Sequence, residues 1–131
     1  MSTLSGPVLV VDDYSTMVRI MRKLLKQIGY EDVDEAASGE AAWQLIEKKK
    51  YGLIISDWNM EPMTGYELLV KVRGNPETAN IPFILVTAES KPENVVAARK
   101  AGVNDYLIKP FNDKVLKEKI DKVLASLAAA A

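Results

Sequence analysis

Two carboxylates, Asp12 and Asp13, stand side by side directly after the apolar run Val8-Leu9-Val10-Val11. A third, Asp57, follows a second apolar run, Leu53-Ile54-Ile55-Ser56. A hydroxyl, Thr87, follows Pro82-Phe83-Ile84-Leu85-Val86, and an ammonium, Lys109, follows Tyr106-Leu107-Ile108. Adjacent acids at the end of a buried segment repel each other and resist desolvation. At about 5 Å, two carboxylates repel by roughly 3 kcal/mol at an effective dielectric near 20. A cation between them removes that cost. If the apolar runs are parallel strands with neighbouring ends, three acids, a hydroxyl and an ammonium meet at one edge of a sheet. Such a set suits a divalent metal and a phosphoryl group, because Mg²⁺ takes one or two carboxylates and prefers phosphate oxygens beside them. Asp57 is then a plausible nucleophile: an ionised carboxylate needs no general base. Attack on phosphorus gives an aspartyl phosphate. Lys109 offsets charge on the transferring oxygens, and Thr87 donates a hydrogen bond.

Composition narrows the chemistry further. The 131 residues contain neither cysteine nor histidine. That excludes disulfides, thiolate and imidazole metal sites, and the Ser-His-Asp and Cys-His nucleophile arrangements. Any metal is therefore a hard ion held by oxygen: Mg²⁺, Mn²⁺ or Ca²⁺. Seventeen Lys+Arg against 18 Asp+Glu leave a formal net charge of -1, so no electrostatic case exists for nucleic-acid binding. No stretch approaches the roughly 20 apolar residues of a spanning helix, and the first residues show no basic region followed by a long apolar one. The expectation is a cytoplasmic protein without a membrane partner. It is expected to be a monomer of one domain over 1–131, with its core in about 6–127.

The elements that must position these groups read as five strand–helix repeats. A strand over 7–11 gives way to helical spacing, with Met17, Ile20, Met21, Leu24, Leu25 and Ile28 on one face and Gly29 ending the helix. A short edge strand over 33–36 precedes a helix capped by Ser38, with Ala42, Leu45 and Ile46 inward. Its end, Lys48-Lys49-Lys50, reads as a solvated terminus that suits the helix dipole. After the strand at 53–56, Thr64 caps a helix burying Leu68, Leu69 and Val72, which Gly74 and Pro76 stop. The strand at 82–86 leads to a helix from Pro92 to Gly102. The last strand leads to a helix capped by Asn112, with Leu116, Ile120, Val123, Leu124 and Leu127 on one face. Alternating strands and helices with buried strands imply a parallel sheet covered on both faces. In such folds the functional crevice lies at the strands' carboxyl ends.

Taken singly, each signal has an ordinary reading. An Asp-Asp pair is usually a turn or a helix cap. Thr87 alone is a strand-end residue, and Lys109 alone is a surface ammonium. Their joint placement after four different strands is what argues for a site.

With Asp12-Asp13, Asp57, Gly65, Thr87-Ala88 and Lys109-Pro110-Phe111 in these positions, the chain resembles the receiver domain of bacterial two-component response regulators. The resemblance covers nearly the whole length. It is most similar to the single-domain chemotaxis type, through Asp12-Asp13-Tyr14-Ser15-Thr16-Met17, Ser56-Asp57-Trp58-Asn59-Met60, Val86-Thr87-Ala88-Glu89 and Tyr106. It implies a doubly wound α/β fold, flavodoxin-like, with five parallel strands ordered 2-1-3-4-5 and five helices. It implies that Asp57 accepts phosphate from a histidine kinase. Asp13, Asp57 and the backbone carbonyl of Asn59 would bind Mg²⁺ (or Mn²⁺), and Asp12 would act mainly through water. Lys109 would pair with the phosphoryl group, and its bond to Pro110 would be cis. Thr87 and Tyr106 would form a switch. Asn59, Ala88 and Glu89 would tune hydrolysis, the small Ala88 leaving room for water and a short-lived phosphoryl group. Output would leave through Lys91, Val95, Tyr106, Lys119 and Lys122 toward a flagellar motor switch protein, with a phosphatase as a further partner. The chain would not be an enzyme beyond its own phosphorylation and dephosphorylation. From the residues alone, Tyr106 is an ordinary strand aromatic with its hydroxyl in water.

One departure stands out. The family usually has proline directly after the Met60 position; here Glu61 stands there, and proline follows as Pro62. The usual acid before the glycine is Thr64. The Asp57–Gly65 spacing is kept, so the metal site is expected to survive, while the loop's shape is left open. Three alternatives compete. A phosphorelay shuttle or phosphate sink shares the chemistry but not the output. A flavin mononucleotide protein of similar topology needs a Ser/Thr/Gly-rich loop where two acids stand here. An aspartate-nucleophile phosphatase wants a second acid where Asn59 stands.

Overall fold

The structure is a computed structural model that describes residues 6–88 and 91–130. Aliphatic runs become strands β1 (Val8–Val11), β2 (Val33–Ala36), β3 (Leu53–Asp57), β4 (Phe83–Thr87) and β5 (Asp105–Ile108). Between and after them lie helices α1 (Ser15–Gln27), α2 (Gly39–Lys48), α3 (Gly65–Arg73), α4 (Pro92–Lys100) and α5 (Asp113–Ala130). The strands pair in parallel in the order β2-β1-β3-β4-β5, the doubly wound arrangement expected. Side chains alternate across the sheet. Leu9, Val11, Ile54, Phe83, Leu85 and Tyr106 join a core with residues of α2, α3 and α4. Val8, Val10, Leu53, Ile55, Ile84, Val86 and Leu107 join a second core with residues of α1 and α5. Among the described residues, no helix is long and apolar enough to cross a membrane.

Local chemistry sets the helix ends. Ser38 Oγ accepts from the Ala41 N–H at 3.0 Å, and Asn112 Oδ1 from the Val115 N–H at 2.9 Å. Thr64 and Glu67 form a reciprocal capping box at the start of α3. At the end of α1, Gly29 takes φ of 104°, and Gly29 N–H and Tyr30 N–H bond to the Lys26 and Leu25 carbonyls. That is a Schellman closure, which favours glycine.

Strands β3 and β4 end at Asp57 and Thr87, as expected, and both residues are the last inside their strands. One expectation is corrected. On α1, Ile20 is 46% exposed while Val18 is buried with Met21 and Leu25. At 3.6 residues per turn, Ile20 stands about 130° from the mean direction of those three, outside the buried stripe. The Lys48-Lys49-Lys50 run is exposed, as expected, but Lys49 is also an ion-pair partner of Asp34 at 2.9 Å.

Candidate functional site

The register brings the strand ends together. Val11 pairs with Ser56, Asp57 with Val86, and Thr87 with Ile108. Asp12 and Asp13 therefore emerge beside Asp57, and Lys109 follows β5, two strands away along the same edge of the sheet. One carboxylate oxygen each from Asp12, Asp13 and Asp57 lies within 4.8 Å of the others. Lys109 Nζ donates to Asp57 Oδ1 at 2.9 Å and stands 3.8 Å from Asp12 Oδ2. Asp12 and Asp57 are buried, at 5% and 6% exposure, while Asp13 is exposed.

Asp12 carries the electrostatic cost of this arrangement. Burial pushes its carboxyl up from the usual range, and the neighbouring charges of Asp57 and Asp13 add to that. The Tyr14 N–H, which donates to Oδ1 at 3.0 Å, and the Lys109 ammonium act the other way. A carboxyl raised in this way favours folding most below its unfolded pKa and loses that contribution as pH rises through its folded pKa. Its ionised form is thus a net cost near neutrality. Asp12→Asn keeps an acceptor for Tyr14 and removes the charge. It is expected to stabilise the metal-free protein by about 1 kcal/mol at neutral pH. Urea melts in EDTA test this; a variant less stable than the parent would show that the charge is not the cost.

The backbone behind Asp57 is equally constrained. Trp58 N–H donates to the Val86 carbonyl at 2.8 Å, and the Trp58 carbonyl accepts from Met60 N–H and Gly65 N–H at 3.1 and 3.0 Å. This clips the β3–α3 loop shut. A Cβ added at Gly65 would stand 2.1 Å from the Asp57 carbonyl oxygen. The glycine spacing noticed in the sequence therefore has a steric cause: α3 begins in contact with the strand that carries Asp57. In the loop, both Glu61-Pro62 and Lys109-Pro110 at the site's other side are cis peptide bonds. The sequence did not suggest the first of these. Met60 is buried at 2% exposure, and Met63 packs on Gly39 at the start of α2. Glu61 is exposed and is not among the acids that converge.

Other expected residues are placed as follows. Thr87 is buried at the end of β4, and Asn59 and Ala88 are exposed beside the strand ends. Glu89 lies outside the described residues. The Tyr106 ring is inward, at 8% exposure, and meets Trp58 edge-on with centroids 6.2 Å apart. Val95 is half-buried against the same core, and Lys91 and Lys122 are exposed. Lys119 Nζ lies 3.2 Å from the buried Asp105 carboxylate. That ion pair had no sequence signal, nor had the stacking of Tyr66 on Trp58 with centroids 5.4 Å apart.

Comparisons with known proteins agree with this geometry. Residues 8–121 match the family model of the response regulator receiver domain. The chain is 41% identical over 120 residues to the chemotaxis protein CheY-3 of Vibrio cholerae, covering 92% of each chain. It is 42% identical over 116 residues to the chemotaxis protein CheY of Pseudomonas aeruginosa, covering 88% of this chain and 94% of that one. It superposes with a TM-score of 0.81, at 26% identity, on the receiver domain of a sensor histidine kinase from Pseudomonas aeruginosa PAO1, covering 92% of this chain and 99% of that one. That crystal structure has a magnesium ion coordinated in its active-site cleft. The chain belongs to the response regulator receiver domain family.

Proposed function

We propose that Asp57 accepts a phosphoryl group from the phosphohistidine of a histidine kinase, and that this event switches a protein-binding surface on α4, β5 and α5. The observation that carries the reading is the convergence of three carboxylates within 4.8 Å, with Lys109 Nζ at 2.9 Å from Asp57. The donor set is all oxygen and partly buried, which fits Mg²⁺ and admits Mn²⁺. Asp13, Asp57 and the Asn59 carbonyl would hold the ion directly, and Asp12 through water. Bound there, it supplies positive charge to the phosphoryl oxygens.

The chain's own residues do the rest. A carboxylate oxygen of Asp57 attacks phosphorus. The P–N bond of the donor breaks, and the departing imidazole takes up a proton. Lys109 stays near Asp57 Oδ1 and offsets charge on the transferred oxygens, while the Thr87 hydroxyl donates to one of them. Water later attacks phosphorus, returns the carboxylate and releases inorganic phosphate. Asn59, Ala88 and Glu89 border that path, and a phosphatase partner would act there. The protein is in this reading a switch that catalyses only its own modification. Chemotaxis is the proposed output, because the relatives named for it align over most of both chains. A flagellar motor switch protein is then the partner.

The test is Mg²⁺-dependent labelling of Asp57 by acetyl phosphate. The parent should incorporate one phosphoryl group and Asp57→Asn none, at least a 100-fold loss on the order of other nucleophile removals. Equal labelling of Asp57→Asn would sink the reading. Pull-down with a phosphoryl mimic then addresses output: flagellar motor proteins support chemotaxis, and a phosphotransfer protein alone supports a relay.

A further inference from the structure

The geometry points to Tyr66 as a positioning residue: it holds Trp58 as the wall against which Tyr106 packs, and so couples the β3–α3 loop to β5. This rests on the switch reading above only in taking Tyr106 as the responding side chain. Trp58 follows Asp57 directly, and three backbone hydrogen bonds fix its main chain. Its half-buried ring packs against the core and meets two aromatic neighbours. Tyr66 stacks on it, with centroids 5.4 Å apart and planes 24° apart. Tyr106 meets it at 6.2 Å and 70°. Those are the offset-stacked and edge-to-face geometries that aromatic quadrupoles favour.

The two contacts differ in origin. Tyr66 lies in the first turn of α3, immediately after the glycine that abuts the Asp57 carbonyl. Its backbone is therefore tied to the acceptor strand. Tyr106 comes from β5, two strands away in the sheet. Trp58 touches both of the other two side chains. Removing the Tyr66 ring frees a face of Trp58 and lets it turn, which removes the edge contact to Tyr106. Any displacement of the β3–α3 loop moves Tyr66 and Trp58 together, so Tyr106 senses it through the same ring.

Aromatic pair energies translate into an equilibrium change of about threefold to tenfold. The experiment uses the full chain carrying 3-fluorotyrosine, with the Tyr106 resonance assigned by Tyr106→Phe, and reads ¹⁹F NMR with and without Mg²⁺ and beryllium fluoride. Tyr66→Leu should raise the population of a second Tyr106 environment by about threefold to tenfold in the untreated protein. Acetyl phosphate labelling of Asp57 should stay within about twofold of the parent. Tyr66→Phe, which keeps the stack, should leave the Tyr106 resonance as in the parent. An unchanged Tyr106 resonance in Tyr66→Leu overturns the inference, as does Tyr66→Phe behaving like Tyr66→Leu. Labelling lost in Tyr66→Leu but present in the parent also overturns it, since Tyr66 would then act on the acceptor. Should Tyr66→Leu fail to fold by far-UV circular dichroism, Tyr66→Met carries the same reading, and failure of both counts against a positioning role. Labelling absent from the parent too strikes at the phosphoacceptor reading, while the untreated spectra still decide the role of Tyr66.

Discussion

Gly65→Ala is expected to lower stability by about 2–3 kcal/mol and to cut phosphorylation of Asp57 by on the order of 100-fold. The added Cβ would stand 2.1 Å from the Asp57 carbonyl oxygen, 2.9 Å from its carbon and 3.0 Å from Leu85 Cδ2. The first two are backbone atoms of a strand paired on both sides, by β1 and β4. The same carbonyl also accepts from Ser56 Oγ at 3.0 Å. The strand cannot retreat without losing those bonds, so α3 must move instead. Overpacking of this kind costs about 1–3 kcal/mol, and contact with fixed backbone belongs at the upper end. Alanine's better helix propensity returns at most about 1 kcal/mol, and less at the first helical residue. The steric term therefore wins. Moving α3 drags the β3–α3 loop, and with it the Asn59 carbonyl beside Asp57, and a misplacement of about 1 Å in such a positioning group is enough for a loss of about 100-fold in transfer. Gly29→Ala is the control: its φ is 104°, but nothing lies within 4 Å of an added Cβ. That variant should lose only about 1–2 kcal/mol for the left-handed backbone and keep its labelling. Thermal melts and acetyl phosphate uptake on both variants decide it. A Gly65→Ala protein that matches the parent in both would show that α3 slides freely over β3.

The residues at the strand ends were legible because each is announced locally. An aliphatic run ends, a charge or hydroxyl follows, and a parallel sheet brings equivalent ends together. Caps at Ser38, Thr64 and Asn112 were legible for the same reason, since each acts within three residues of itself. What stayed hidden depends on distance through space. Arg73 illustrates this. It donates from Nη1 to the Ile81 carbonyl at 2.6 Å, from Nε to Gly102 at 2.9 Å, and from Nη2 to Asn104 Oδ1 at 2.8 Å. It thus ties the end of α3 to the segments entering β4 and β5, while in sequence it reads as one more cation at a helix end. Asp105 and Tyr66 are similar. The partner of each is fixed by helix packing, which residue order does not encode. Ile20 misled for a related reason: a helix with apolar residues over a wide arc does not say which part of the arc faces the sheet.

Lys109→Met is expected to separate the two jobs the ammonium does. Its Nζ is 2.9 Å from Asp57 Oδ1 and 3.8 Å from Asp12 Oδ2, so it neutralises part of an acidic cluster that burial already strains. Charges 4–5 Å apart interact by roughly 3–4 kcal/mol at an effective dielectric near 20. The side chain is 24% exposed, which reduces this, so the metal-free variant should lose about 1–2 kcal/mol of stability. With that competitor for the carboxylate oxygens gone, Mg²⁺ should bind about tenfold more tightly and restore more stability than it adds to the parent. Phosphorylation should move in the opposite direction. A donor that offsets charge on the transferring oxygens contributes about 10²–10³ in rate, and saturating Mg²⁺ leaves that loss in place. The site would then bind metal better and transfer phosphate worse. Trp58 emission in a Trp43→Phe background reports the metal affinity, and acetyl phosphate uptake at saturating Mg²⁺ reports the transfer. Recovery of uptake to within about tenfold of the parent at high Mg²⁺ would mean that Lys109 only balances the carboxylates. A persistent deficit beside the tighter binding places its ammonium on the phosphoryl group itself.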